Sequence, residues 1–173
     1  LRAKAGDTIS IQGSNFGVLS KAIVGGITVN SAPGTTTATF KFVVPNTLPR
    51  GAYKLQLQDS SGKLSGYSLR LLTVINSSSD PTVYYSTPLK LKPGKSYNLI
   101  IYGTNWEEIS ALFSEDSGIT IDEDSIDSIA LTGGKIRVTA AIRVSDLATP
   151  GLHYLTMEDS AGRQLNFQIL VGN

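Results

Sequence analysis

Cysteine is absent from this 173-residue chain, so neither a disulfide nor a thiolate-bound metal holds it together. That absence leaves the compartment open. Histidine occurs once, which gives catalysis little to work with, and no Gly-x-Ser-x-Gly sequence is present to set up a nucleophile. Gly25-Gly26 and Gly133-Gly134 lack the spacing and the following Lys-Ser/Thr of a phosphate-cradling loop. No apolar run approaches the ~20 residues of a membrane helix, which predicts no membrane insertion. Nowhere does a 3.6-residue periodicity persist, and 17 glycines and 7 prolines recur too often for long helices. Charged residues are scarce at 17%; polarity rests on Ser, Thr, Asn and Gly, a mixture that suits many short strands joined by turns.

What is present is organised around one stretch that occurs twice. Gly51–Lys63 reads GAYKLQLQDSSGK and Gly151–Arg163 reads GLHYLTMEDSAGR. Each is a glycine, an alternating strand, then an Asp-Ser-x-Gly turn and a base. In those turns Asp59 and Asp159 are expected to accept from backbone N–H groups two residues on, with Gly62 and Gly162 at positive φ. Upstream, Thr8–Gln12 alternates with period two and ends in Gly13-Ser14-Asn15-Phe16; Tyr97-Leu99-Ile101 alternates and ends in Gly103-Thr104-Asn105-Trp106. Lys21–Asn30 reads as a hairpin hinged at Gly25-Gly26, with a counterpart at 109–113 and 118–121 connected by Ser-Glu-Asp-Ser. Residues 36–44 and 135–144 are β-branched alternating runs, and 64–74 and 164–171 supply the last strand of each copy. About seven strands per copy, spaced by about 8–12 residues, predict an all-β chain of two consecutive immunoglobulin-like β-sandwich domains. The expected division is 1–75, a polar hinge at 76–80 and 81–173. The second copy adds a leading strand at 82–87 that the first lacks. The chain opens at Leu1 without an initiator Met, which predicts a piece of a larger protein.

The net charge of +1 hides an asymmetry. Residues 1–75 carry Arg2, Lys4, Lys21, Lys41, Arg50, Lys54, Lys63 and Arg70 against only Asp7 and Asp59, whereas acids outnumber bases in 81–173. The bases of the first half are scattered, as on solvated strand faces, and nucleic acid is not an expected partner.

Gly13-Ser14-Asn15-Phe16, Gly25-Gly26, Pro93-Gly94, Gly103-Thr104-Asn105-Trp106 and Pro150-Gly151 together resemble the IPT/TIG family of immunoglobulin-like domains. The resemblance spans nearly the whole chain, as two domains. It departs from the pattern in the second copy, which has no Gly-Gly where the first has Gly25-Gly26. It implies support or binding within larger proteins: bacterial surface proteins, polysaccharide-acting enzymes, plexin-type receptors or Rel-type transcription factors. Lack of cysteine argues against an animal receptor ectodomain. The expected role is therefore non-catalytic: a spacer or adhesive module of an extracellular, cell-surface or periplasmic protein. Its partners would be neighbouring domains of the same polypeptide, a glycan or another surface protein. The alternatives are a ligand-binding module for carbohydrate or calcium, centred on the second copy, and an accessory domain of an extracellular enzyme.

Two features of the second copy carry candidate chemistry. Glu115, Asp116, Asp122, Glu123, Asp124 and Asp127 crowd together, and loop carboxylates suit calcium; Glu115, Asp116, Asp122 and Asp124 are the candidate ligands, with no other cofactor expected. The spacing is not that of an EF-hand, and a solvated acidic loop protecting a sheet edge is the simpler reading. Tyr84, Tyr85 and Tyr102 are candidate stacking residues for a sugar, with Tyr84 and Tyr85 expected on opposite strand faces. Trp106 and Tyr97 align with Phe16 and Ile9 and read as core. The one histidine, His153, aligns with Tyr53 and is expected at an exposed or half-buried strand position.

Overall fold

The computed structural model describes residues 1–68 and 70–172. The chain is all-β and divides into two compact units, Leu1–Asn76 and Ser77–Asn173. Among the described residues no helix is long and apolar enough to cross a membrane.

Unit one contains β1 (Arg2–Ala3), β2 (Thr8–Gln12), β3 (Leu19–Val24), β4 (Ile27–Asn30), β5 (Thr39–Val43), β6 (Gly51–Tyr53), β7 (Leu55–Asp59) and β8 (Leu72–Val74). β2 pairs with β5, β3 pairs with both β4 and β7, and β8 pairs with β6 and, in parallel, with β1. Only Lys54 separates β6 from β7, so these ladders continue one another. The period-two pattern explains which faces close: Phe40, Phe42 and Val44 are fully buried, with Ile9, Ala22, Val24, Leu55 and Leu72 around them. Burying one such phenylalanine stabilises the fold by about 1.5–3 kcal/mol. The expected hairpin is present, with Val24 opposite Ile27 and Gly25-Gly26 at φ 57° and 80°. The strand expected over 64–74 is regular only at β8; that stretch runs through residue 69, which lies outside the described residues. Before it, the Ser65 hydroxyl takes over a ladder bond by accepting from Leu57 N–H.

Unit two contains β9 (Thr82–Thr87), β10 (Ser96–Thr104), β11 (Ile109–Ser114), β12 (Ile119–Ile121), β13 (Asp127–Leu131), β14 (Lys135–Val144), β15 (Gly151–Asp159) and β16 (Gln164–Val171). β10 pairs with β9 and β14, and both β12 and β13 pair with β14. Opposite them, β15 pairs with β11 and β16. Read as A, B, E and D against C, F and G, this is the constant-type immunoglobulin sandwich. Leu99, Ile101, Val138, Ala140 and Ile142 face Leu112, Leu155, Met157, Phe167 and Ile169 in its core, and all are essentially inaccessible.

The structure corrects one element of the sequence reading. The segments at 109–113 and 118–121 are strands but not a hairpin: β12 leaves β11 and pairs with β14 in the opposite sheet. The acidic stretch that follows is not a loop either. It forms β12, a 3-10 turn at Glu123–Ser125 and β13, together the edge of that sheet.

Candidate functional site

The repeated hairpins close as their residue types dictate. The Asp59 carboxylate accepts from Ser61 N–H and Lys63 N–H, each at 2.9 Å, and Gly62 stands at φ 89°. Asp159 accepts from Ala161 N–H at 3.2 Å and Arg163 N–H at 2.9 Å, with Gly162 at φ 74°. Asp159 differs in being buried, and its second oxygen accepts from the Arg163 guanidinium at 2.6 and 2.9 Å and from Glu107 N–H at 3.2 Å. Burial alone would push its carboxyl up; the Arg163 and Glu107 bonds outweigh that and hold it below the usual range.

His153 is buried at 7% exposure rather than exposed or half-buried. In unit one, the Tyr53 hydroxyl donates to Pro49 O, four residues back, at 2.7 Å, which is the tyrosine corner of such sandwiches. At the matching place in unit two, His153 Nε2 meets Thr149 O at 2.7 Å, again four residues back, and Nδ1 meets the Asp116 carboxylate. Both partners accept, so the doubly protonated ring makes both bonds and the neutral ring only one. Asp116 also accepts from Gly118 N–H at 2.8 Å. That bond, with His153 adding to it, holds the Asp116 carboxyl below its ordinary value. The sole histidine is thus a corner fastening on the β11–β12 crossover.

Asp116 is therefore committed, while Glu115, Asp122 and Asp124 are solvent-exposed. Among the described residues no three His, Asp or Glu side chains come together to hold a metal ion.

The tyrosines do come together. Val83 lies opposite Gly103 and Tyr85 opposite Tyr102, so Tyr84 is the extra residue of a bulge in β9. A bulge breaks the alternation, and the expectation that Tyr84 and Tyr85 point to opposite faces fails for that reason. Both rings lie against Tyr102, with centroids 6.5 Å and 5.8 Å away and planes tilted by 34° and 58°. All three are half-buried, and Val83 and Ser86 on either side point inward. Tyr102 in turn lies opposite Arg137, and Arg137 opposite Ile129. Sequence reasoning missed Arg137, although its position two residues from Lys135 on an alternating strand was enough to give it the same face.

The sequence matches no protein-family model and no curated protein. Among solved structures, the chain is similar to the SGBP-B protein of the Bacteroides ovatus mixed-linkage glucan utilization locus, determined with a mixed-linkage heptasaccharide (17% identity, TM-score 0.37). That match covers 98% of this chain and 42% of the other, so the chain spans less than half the length of that protein. It is also similar to the Yersinia pseudotuberculosis adhesin InvE, at 12% identity and a TM-score of 0.33 over 100% of this chain and 56% of that one. A third similar structure is Dpr2 Ig1-Ig2 in complex with DIP-Theta Ig1-Ig3, at 14% identity and a TM-score of 0.30, covering 99% and 94% of the two chains.

Proposed function

We propose that the chain is a non-catalytic tandem pair of IPT/TIG-type immunoglobulin-like domains. It acts as a spacer or adhesive module within a larger extracellular, cell-surface or periplasmic protein. The observation that supports this reading is the use made of the reactive side chains. Tyr53 and His153 fasten corners, Asp59 and Asp159 close hairpins, and Asp116 holds His153. Groups that an enzyme would keep free for substrate are spent on backbone closure. Stretching a single chain between a surface and a tip tests the spacer role. Two discrete unfolding events are expected, for units ending at Asn76 and beginning at Ser77. Each should release a few hundred ångströms of chain at about 3.3–3.6 Å per residue. Smooth extension without discrete events would overturn the reading.

The gathered tyrosines favour a second reading, in which unit two also binds carbohydrate through Tyr84, Tyr85 and Tyr102. The calcium alternative draws less support, because Asp116 is already engaged by His153 and Gly118. An unchanged melting temperature in millimolar calcium would dispose of it.

A further inference from the structure

From the outer face of the β9–β10–β14–β13 sheet we infer a binding site for an anionic polysaccharide. Its sugar rings would stack on Tyr84, Tyr85 and Tyr102, and its carboxylate or sulfate groups would be held by Arg137. The inference rests on the carbohydrate reading of unit two and adds the charge of the ligand and the residue that reads it.

Four observations carry it. The first is the bulge itself: it gives up regular ladder pairing at Tyr84 and thereby sets two consecutive aromatic rings beside a third. Bulges re-aim side chains in this way, and they gather at the edges and functional sites of sheets. The second is the state of the phenols. Tyr53 donates to Pro49 O and the Tyr97 hydroxyl accepts from Lys92 N–H. Among the described residues the hydroxyls of Tyr84, Tyr85 and Tyr102 make no hydrogen bond. Half-open rings with unspent hydroxyls offer an apolar face to the C–H side of a pyranose and a donor or acceptor to its hydroxyls.

The third is Arg137. It lies directly across from Tyr102 in the same row. Its Nε is buried without a partner, and among the described residues its guanidinium forms no ion pair or hydrogen bond. A planar fork of donors left unmatched beside aromatic rings suits a carboxylate or sulfate ester. The fourth is where the charge is placed. Unit two is acidic overall, yet Lys135, Arg137 and Arg143 alternate along β14 and share its outward face, the intervening Ile136, Val138 and Ile142 being buried. Asp127 and Asp122 lie at the edge of that face, on and beside the flanking strands β13 and β12. A row of cations on a flat, open sheet face fits an extended polymer of repeating charge better than a small molecule.

The test is retention of the whole chain on affinity gels cast with polygalacturonate, a sulfated glycan, or neutral mannan and β-glucan. Retention by an anionic gel and not by the neutral ones is expected. It should fall at least tenfold in both Tyr102→Ala and Arg137→Gln, with melting temperatures that stay close to the parent's. Retention by neutral gels that Tyr102→Ala removes and Arg137→Gln leaves intact would overturn the anionic assignment and keep the carbohydrate reading. Retention by polyanions that salt abolishes and Tyr102→Ala does not change would overturn the stacking site in favour of bare charge attraction. No retention on any gel would overturn both the inference and the reading beneath it.

Discussion

His153 faces two acceptors and Tyr53 faces one, so replacement of the histidine separates their contributions. His153→Phe keeps an aromatic ring but leaves both Thr149 O and the Asp116 carboxylate unpaired. A loss on the order of 2–3 kcal/mol is expected in urea unfolding of unit two, because an orphaned buried acceptor carries its full desolvation cost. His153→Tyr should recover part of that loss, since a phenol can reach Thr149 O as Tyr53 reaches Pro49 O. If the two variants unfold alike, the corner assignment is wrong. The paired aspartates offer a second comparison. Asp159→Ala removes a buried carboxylate that holds Arg163 and Glu107 N–H, and should cost at least about 2 kcal/mol. Asp59→Ala removes an exposed one and should cost less, so equal losses in denaturant midpoint would count against burial as the difference between the turns.

The Gly-Ser/Thr-Asn-aromatic element before β3 and β11 shows why its residues travel together. A Cβ on Gly103 would lie 2.3 Å from Thr82 O and 2.6 Å from Trp106 Nε1, and one on Gly13 would lie 2.4 Å from the Phe16 ring. The glycine therefore makes room for the aromatic three residues on, and Trp106 uses that room to donate to Thr82 O at 2.8 Å. Asn15 and Asn105, both at φ 62°, supply the left-handed step between them. Gly103→Ala forces backbone or indole to move and should destabilise unit two by about 1–3 kcal/mol; a melting temperature equal to the parent's would sink that account. Elements such as this were legible in the sequence, as were the Gly25-Gly26 hairpin and the Asp59 and Asp159 turns, because local chemistry alone decides them. The destination of β12 was not. Its three residues carry no sign of which sheet they join, and the choice is made by β14, more than a dozen residues later. The tyrosine patch was half legible for a similar reason: the residues were visible, but the bulge that brings them together depends on the register of β9 against β10.

The pH dependence of stability should have two limbs, set by different groups. Asp59, Asp116 and Asp159 all have folded values below 3.8. For each, the unfolded chain takes up a proton first as pH falls, so the stabilisation is complete above about pH 4 and drains away below it. Lys54 acts at the other end. Burial lowers its pKa from 10.5 to about 8, so between those values the unfolded chain holds a proton that the folded chain has released. Stability then rises with pH from about 8 to about 10.5, the reverse of ordinary alkaline loss. Below pH 8 the buried ammonium is charged in both states, and its desolvation weighs against folding. Lys54→Met removes that burden: the variant should melt higher than the parent at pH 7, lose the rise between pH 8 and pH 10.5, and keep the acid limb unchanged. Melting temperatures of both proteins from pH 3 to pH 10.5 decide this. A parent curve that stays flat or falls above pH 8 would show that Lys54 reaches water in the folded state, and a variant that melts lower at pH 7 would show that its ammonium stabilises the fold.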